Sequence, residues 1–351
     1  MKKFILTLSA IAFIAFNSLA TIHIVDNNPG APGGVYSTVQ PAMDTAIAGD
    51  TIYLKGSPNS YGSIYVSKEL HFIGSGTNPN KQFAQRTNVA AFYVNITGVS
   101  DSSNASGSSF TGIRFSSLNL YSQGLSSPTS DILIERCWGQ IVFGTSESFN
   151  NIIIRNNFTV DLRGNNNLIS NCLIINNSIY GFIMNLRVGS TVLSSNNNFT
   201  TVNIGFQPKY VTFYNNIFYG VNHLTTAHNC AYSNNLSFGA SNNTIVITGS
   251  NSGSGNIIQD PLFVNAPTLP VNINYDYHVT AGSPVINGGS DSTDIGMYGG
   301  SSPMPIGGAS GSGFMNQQEA NIPQVNQMNV RTLVVPLNMP LRVNVIGVTN
   351  E

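Results

Sequence analysis

Charge is what this sequence has least of. Only 8% of its 351 residues are Asp, Glu, Lys or Arg, and the two signs nearly cancel to a net −1. Nucleic acid and anionic bilayers are met by clustered basic surface, so this balance excludes both as electrostatic partners. Beyond residue 20 there is no long apolar run, and hence no transmembrane helix in the mature chain. Acidic residues are missing altogether between Asp161 and Asp260. The paired carboxylates of a glycoside hydrolase therefore cannot be assembled from that stretch. Phosphate-loop, Ser-His-Asp and Cys-His nucleophile patterns are missing as well.

What the chain has in quantity is asparagine in a fixed rhythm. From Asp131 to Asn235 a short apolar run, a polar pair and an aromatic or aliphatic residue keep returning: ILIERCW, IIIRNNF, LIINNSI, VLSSNNNF, VTFYNNIF, CAYSNNLSF. The pair falls at Arg136-Cys137, Asn156-Asn157, Asn176-Asn177, Asn196-Asn197, Asn215-Asn216 and Asn234-Asn235, in steps of 20, 20, 20, 19 and 19. A period in this range with strand-like rather than helical spacing predicts a β-solenoid. Asn tolerates left-handed backbone, and its amide can bond to the same amide one coil above. Alternation then assigns the faces. Ile132, Ile152, Cys172, Val192, Val211 and Cys230 point inward, as do Ile134, Ile154, Ile174, Ser194, Phe213 and Tyr232. Cys172 and Cys230 are thus three coils apart, roughly 14 Å and beyond disulfide reach. With Cys137 in the asparagine column, all three cysteines read as buried free thiols.

The phrase resembles that of the right-handed parallel β-helix, the pectin-lyase-like fold, over most of residues 22–300. Two further passages are similar to it. YSTVQPAMDTAIAGDTIYLKGSPNSYGSIYVSKELHFIGSG looks like opening coils with a capping helix around Pro41–Ala48. DPLFVN and DYHVTAGSPVINGGSDSTDIGMYGG look like closing coils. The resemblance implies an all-β fold, and no single activity: such folds host lyases, hydrolases, adhesins and inert stalks. The expected organisation is a signal peptide over 1–20, a β-helix over 21–298, a Gly/Ser-rich linker over 299–313 and a strand-like C-terminal tail over 314–351. Lys2-Lys3, the apolar stretch Phe4–Phe16 and the small-residue end at Ala20 carry the leader reading and an exported location, at the cell surface, outside the cell or in the periplasm. The tail is too short for its own core, so it is expected to pack on the solenoid or dock on a partner.

A lyase would need a Lys or Arg base with carboxylates holding Ca²⁺ against a uronate. Glu135 and Arg155 share an outward column in adjacent coils, while Arg136, Asp161, Arg163, Arg187 and Lys209 lie on nearby coils in other columns. The plainer reading is a surface ion pair among scattered solubilising charges. His23, His71 and His278 read as isolated, and His223 and His228 as remote from any carboxylate. No metal or other cofactor is indicated. Asp276, Asp291 and Asp294 could hold Ca²⁺, but Asp in GSDSTDIG more simply caps turns. Among aromatics, Tyr180, Tyr219 and Phe238 share a column expected to fill a corner of the coil, which leaves Tyr210 and Tyr214 as binding candidates. Leu133, Ile153, Leu173 and Leu193 form an outward aliphatic stripe, unexpected on a bare surface. These features favour a non-catalytic envelope or surface β-helix that binds an envelope protein or a polysaccharide, over a polysaccharide lyase.

Overall fold

The computed structural model describes residues 20–77, 85–95, 104–122, 127–200, 206–221, 227–240, 244, 245, 247, 249–266 and 275–304, with the strands Gln324–Val330 and Val343–Val348 given by their backbone. The leader, the linker from residue 305 onward, the packing of the tail and His223 lie outside them.

The chain is a parallel β-helix. Among the described residues, twenty-two strands from Ile22–Val25 to Ile257–Ile258 form one continuous parallel system. One wall runs through Thr51–Leu54, Thr129–Glu135, Ser148–Arg155, Cys172–Ile175 and Val211–Tyr214 to Ser252–Ser254. A second runs through Ser63–Val66, Asn88–Val94, Arg114–Leu120, Trp138–Phe143 and Phe158–Ser170. Ile132 sits opposite Ile152, and Cys172 opposite Val192, which sits opposite Val211, so the register is the repeat read in the sequence. Both inward columns are buried, Val192 being the most accessible of their members at 3%. All three cysteines are free and buried. Burial in an apolar interior pushes the Cys137 and Cys172 thiols up to about 12, so neither is a nucleophile at neutral pH.

The asparagine pair divides its labour. The first residue takes the left-handed bend, at φ 52–55° from Arg136 through Asn156, Asn176, Asn196 and Asn215 to Asn234. The second turns inward and builds the ladder. Nδ2 of Asn157 donates to Oδ1 of Asn177 (3.0 Å), and the step repeats through Asn197, Asn216, Asn235 and Asn256. Each Oδ1 also accepts the backbone N–H of the asparagine above, as Asn177 does from Asn157 at 2.9 Å. The second amide proton goes to a strand carbonyl, Ile134 for Asn157 and Ile154 for Asn177. A buried amide costs little when every group is paired and much when one is orphaned. Cys137 heads the ladder, its N–H donating to Asn157 Oδ1 and its Sγ to the Phe110 carbonyl. At the other end the ladder runs one coil further than the repeat indicated, to Asn256.

A helix covers the N-terminal end, over Val39–Thr45 and not Pro41–Ala48. Pro41 falls in the first turn, where its missing N–H has no helical acceptor to lose. Val39, Ala42 and Met43 are buried on the core.

The passage expected to close the solenoid is not a further coil. Phe263–Asn265 and Asp276–Val279 pair antiparallel with each other, outside the parallel system. The chain then runs back down the outside as a strap, gripped by the outward first asparagines. Asn215 Oδ1 accepts Ser290 N–H, while Nδ2 of Asn196 donates to the Asp294 carbonyl, that of Asn176 to Met297 and Gly299, and that of Asn156 to Ser302. Gly296 lies so flat on the ladder that a Cβ would meet Asn198 Oδ1 at 2.4 Å and Ile217 Cδ1 at 2.6 Å. The tail strands Gln324–Val330 and Val343–Val348 form an antiparallel pair of their own.

The ladder and the cap each yield a test. Asn177→Ala removes the acceptor for both Asn157 donors and should cost about 3 kcal/mol in chemical denaturation. Asn171→Gly, at an exposed left-handed corner (φ 53°), should change stability by no more than about 0.5 kcal/mol. The second concerns Asp50 beneath the first strand. Burial would raise its pKa, but the Thr21 and Ile47 N–H groups and His23 outweigh that and hold it below the ordinary 3.8. A depressed folded pKa stabilises fully above the unfolded value and is lost as pH falls through the folded one. Amide exchange in Ile22–Val25, corrected for intrinsic rate, should therefore accelerate between about pH 5 and about pH 3. Asp50→Asn should remove that dependence.

Candidate functional site

The charges that read as weak catalytic candidates form two separate local pairs. Arg155 Nη2 meets Glu135 Oε2 at 2.7 Å, on the outward side of the first wall. Asp161 and Arg163 pair with each other on the second wall, where Gln140 Nε2 also donates to Asp161 Oδ2 at 3.2 Å. Asp161 is almost fully buried, and its Oδ1 has no partner among the described residues. Arg187 donates to the Glu147 backbone carbonyl and the Ser148 hydroxyl, not to a carboxylate. The wall-to-wall separation follows from the coil itself: Glu135 and Asp161 belong to different strands of different walls, whatever their distance in sequence.

The remaining candidates are placed as follows. Leu133, Ile153 and Leu193 are half-buried and Leu173 is 37% exposed, so the stripe is outward. None of them belongs to the apolar clusters beneath the strap. Tyr180 is half-buried. Tyr219 and Phe238 point outward and are covered, Tyr219 packing edge-on against Phe263 of the hairpin and donating to the Ala266 carbonyl. Tyr214 is tied to Ser290 of the strap. Asp291 and Asp294 cap turns: Asp291 Oδ1 accepts from Thr293 N–H and Oγ1, and Asp294 Oδ1 from Asn287 N–H. Two histidines expected to be isolated are not. His23 lies 3.0 Å from buried Asp50, and His278 Nδ1 lies 2.6 Å from Asp276 Oδ1. Asp50 is 27 residues from His23, off the twenty-residue count, whereas Asp276 and His278 are two apart on one strand and share a face by simple alternation.

Tyr210 is where open surface and chemistry meet. It stands at a left-handed corner (φ 60°), half-buried against the core, with Lys209 Nζ 5.5 Å from its ring centre. A cleft of about 390 Å³ opens beside it, lined by Arg187, Lys209, Tyr210, Asn166 and Asn185, with Leu168, Leu186 and Val188. Two cations line it and no carboxylate does. Arg187 Nε is buried without a hydrogen-bond partner among the described residues, so part of its donor capacity is unspent. The sequence placed Arg187 and Lys209 in unrelated columns because this coil is longer than its neighbours. Asn185 bridges to Lys209, a separation of 24, whereas Lys209 bridges to His228, a separation of 19. An apolar ring face, two cationic donors and two amides can hold an anionic, hydroxylated ligand.

No protein-family model and no curated protein matches the sequence. Among solved structures, one titled rhamnogalacturonan lyase is similar at 14% identity, covering 72% of this chain and 65% of the lyase chain, with a TM-score of 0.27. So loose a superposition carries no inference about activity; the parallel β-helix rests on the strand pairing itself.

The stripe yields a clean contrast. Leu173→Asp should shift stability by no more than about 1 kcal/mol, whereas Ile174→Asp, one residue on and fully buried, should prevent folding. Thermal denaturation of the two variants decides it. A Leu173→Asp loss as large as that of Ile174→Asp would mean that the stripe is covered.

Proposed function

We propose that this chain is an exported, non-catalytic β-helix of the cell envelope or surface that binds an acidic polysaccharide through the cleft at Arg187, Lys209 and Tyr210. The observation that carries the reading is the lining of that cleft: two cations beside an aromatic ring, with no acidic side chain among them. A uronate-rich glycan supplies carboxylates for the cations and pyranose faces for Tyr210. The rigidity suits a binding surface, since a ladder-locked coil holds cleft residues in place without ordering cost at the moment of binding. The pairing of Glu135 with Arg155 and of Asp161 with Arg163 supports a binding role, because those carboxylates are already neutralised by a neighbour. The stripe Leu133, Ile153, Leu173 and Leu193 then serves as a contact face for an envelope protein.

Binding of polygalacturonate, followed by calorimetry and by absorbance of unsaturated product, tests the proposal. Affinity should fall as salt rises, and Lys209→Ala should weaken it about ten-fold, or about 1.4 kcal/mol. Release of unsaturated product by the wild-type protein would replace the binding role with a lyase. No affinity at low salt would sink the reading.

A further inference from the structure

The wall that carries Trp138 holds a second pair of cations, and neither has an acid beside it. Arg114 and Trp138 sit opposite each other in adjacent coils, and Trp138 sits opposite Phe158 in the next. This outward column changes character along its length. Phe158 is buried in a cluster with Met297 and Met304 of the strap, and Trp138, only partly buried, packs against that cluster. One coil nearer the N-terminus the column is Arg114, which is exposed. Its guanidinium carbon lies 4.7 Å from the Trp138 ring centre. A second guanidinium reaches the same ring. Arg86, two residues before the strand that pairs with Arg114, brings its guanidinium carbon to 5.9 Å. A cation over an indole is attracted to it, which accounts for either contact alone. Two on one indole also repel each other: burial and the nearby Arg114 both push the Arg86 pKa down. Among the described residues no carboxylate pairs with either guanidinium, and neither donates a hydrogen bond. Both are accessible, Arg114 being exposed and Arg86 half-buried with no nitrogen sequestered.

We infer that Arg86 and Arg114 form a binding site for one phosphate monoester group, such as a phosphorylated sugar presents. A guanidinium held against an aromatic ring loses little further freedom on binding, and its N–H fork matches the geometry of an oxyanion. Charge and acceptor count decide the class. A carboxylate brings one negative charge and two oxygens, which a single guanidinium satisfies. A phosphate monoester brings about 1.5–2 negative charges and three acceptor oxygens, which match two guanidiniums. The bound group also cancels the repulsion between Arg86 and Arg114 that the free protein carries. Trp138 is already occupied by the two cations and the strap cluster, so the site reads the oxyanion and not a ring face. None of the three residues lines the cleft at Lys209, and the inference stands independently of that cleft.

Trp138 is the one tryptophan of the chain, so its fluorescence reports on this site alone. Titrating the full chain with methyl phosphate at about pH 8, where the monoester is a dianion, tests the inference, with phosphorus NMR of the probe as a second readout. Methyl sulfate, acetate and chloride at matched ionic strength are the counter-probes. Methyl phosphate should give a saturable change in both signals, and methyl sulfate and acetate should bind about ten-fold more weakly or not at all. Arg86→Gln and Arg114→Gln should each weaken methyl phosphate about ten-fold, the loss of a charge-assisted hydrogen bond. Arg114→Lys, which keeps the charge and loses the fork, should recover only part of the affinity. No saturable change in either signal, an equal response to acetate, or affinity undiminished in both Gln variants overturns the inference and leaves the two arginines as cover for the indole.

Discussion

Everything in this molecule hangs on the stacked amides of Asn157, Asn177, Asn197, Asn216, Asn235 and Asn256. Parallel strands alone do not fix the height or phase of a coil, since a register slip by one residue still makes backbone hydrogen bonds. A buried asparagine does fix it. Its Oδ1 takes two donors from the coil above and its Nδ2 serves both a carbonyl and the next amide, so a slipped coil would leave four buried groups unpaired. The apolar columns contribute the driving force for burial, and the amides choose which burial is native. The ladder therefore supplies specificity where Ile132, Ile152 and their neighbours supply stability.

The same dipeptide also decides what happens outside the solenoid. A left-handed residue before the ladder asparagine throws its side chain outward, and four of these side chains hold the strap. Flat docking demands a backbone without side chains at the closest approach, which is why Gly296 sits there, whereas Gly299 is packed against the strap's own Asp294 carbonyl. The consequence for function is considerable. Phe158, Ile217 and Leu236, which the strap covers, would otherwise be an exposed apolar face. The strap converts that face into a second core.

Two polar sites stand on this frame, and both are cationic. The cleft at Arg187 and Lys209 collects cations at a corner where one coil is overlong. Some of the other charges pair locally, as Glu135 does with Arg155 and Asp26 with Lys55, while Arg86 and Arg114 both stand over Trp138. In a chain this poor in charge, an unneutralised cluster stands out against its background.

The sequence by itself determined the solenoid. Its twenty-residue rhythm set the register, alternation set which of Ile132, Leu133 and Ile134 faced inward, and the paired asparagines announced both the bend and the ladder. Repeats are legible because each residue's environment is made by its equivalents one coil away, a fixed distance in sequence. What the tertiary structure alone decided is everything that breaks that rule. The strap's grip on Asn176 spans more than a hundred residues, the pairing of His23 with Asp50 joins a first strand to a turn, and the meeting of Arg187 with Lys209 depends on one overlong coil. These contacts have no period, so no count along the chain could find them. Side chains meet there because the strap and the corners bring distant backbone together, and the chemistry of both candidate sites lies at those junctions.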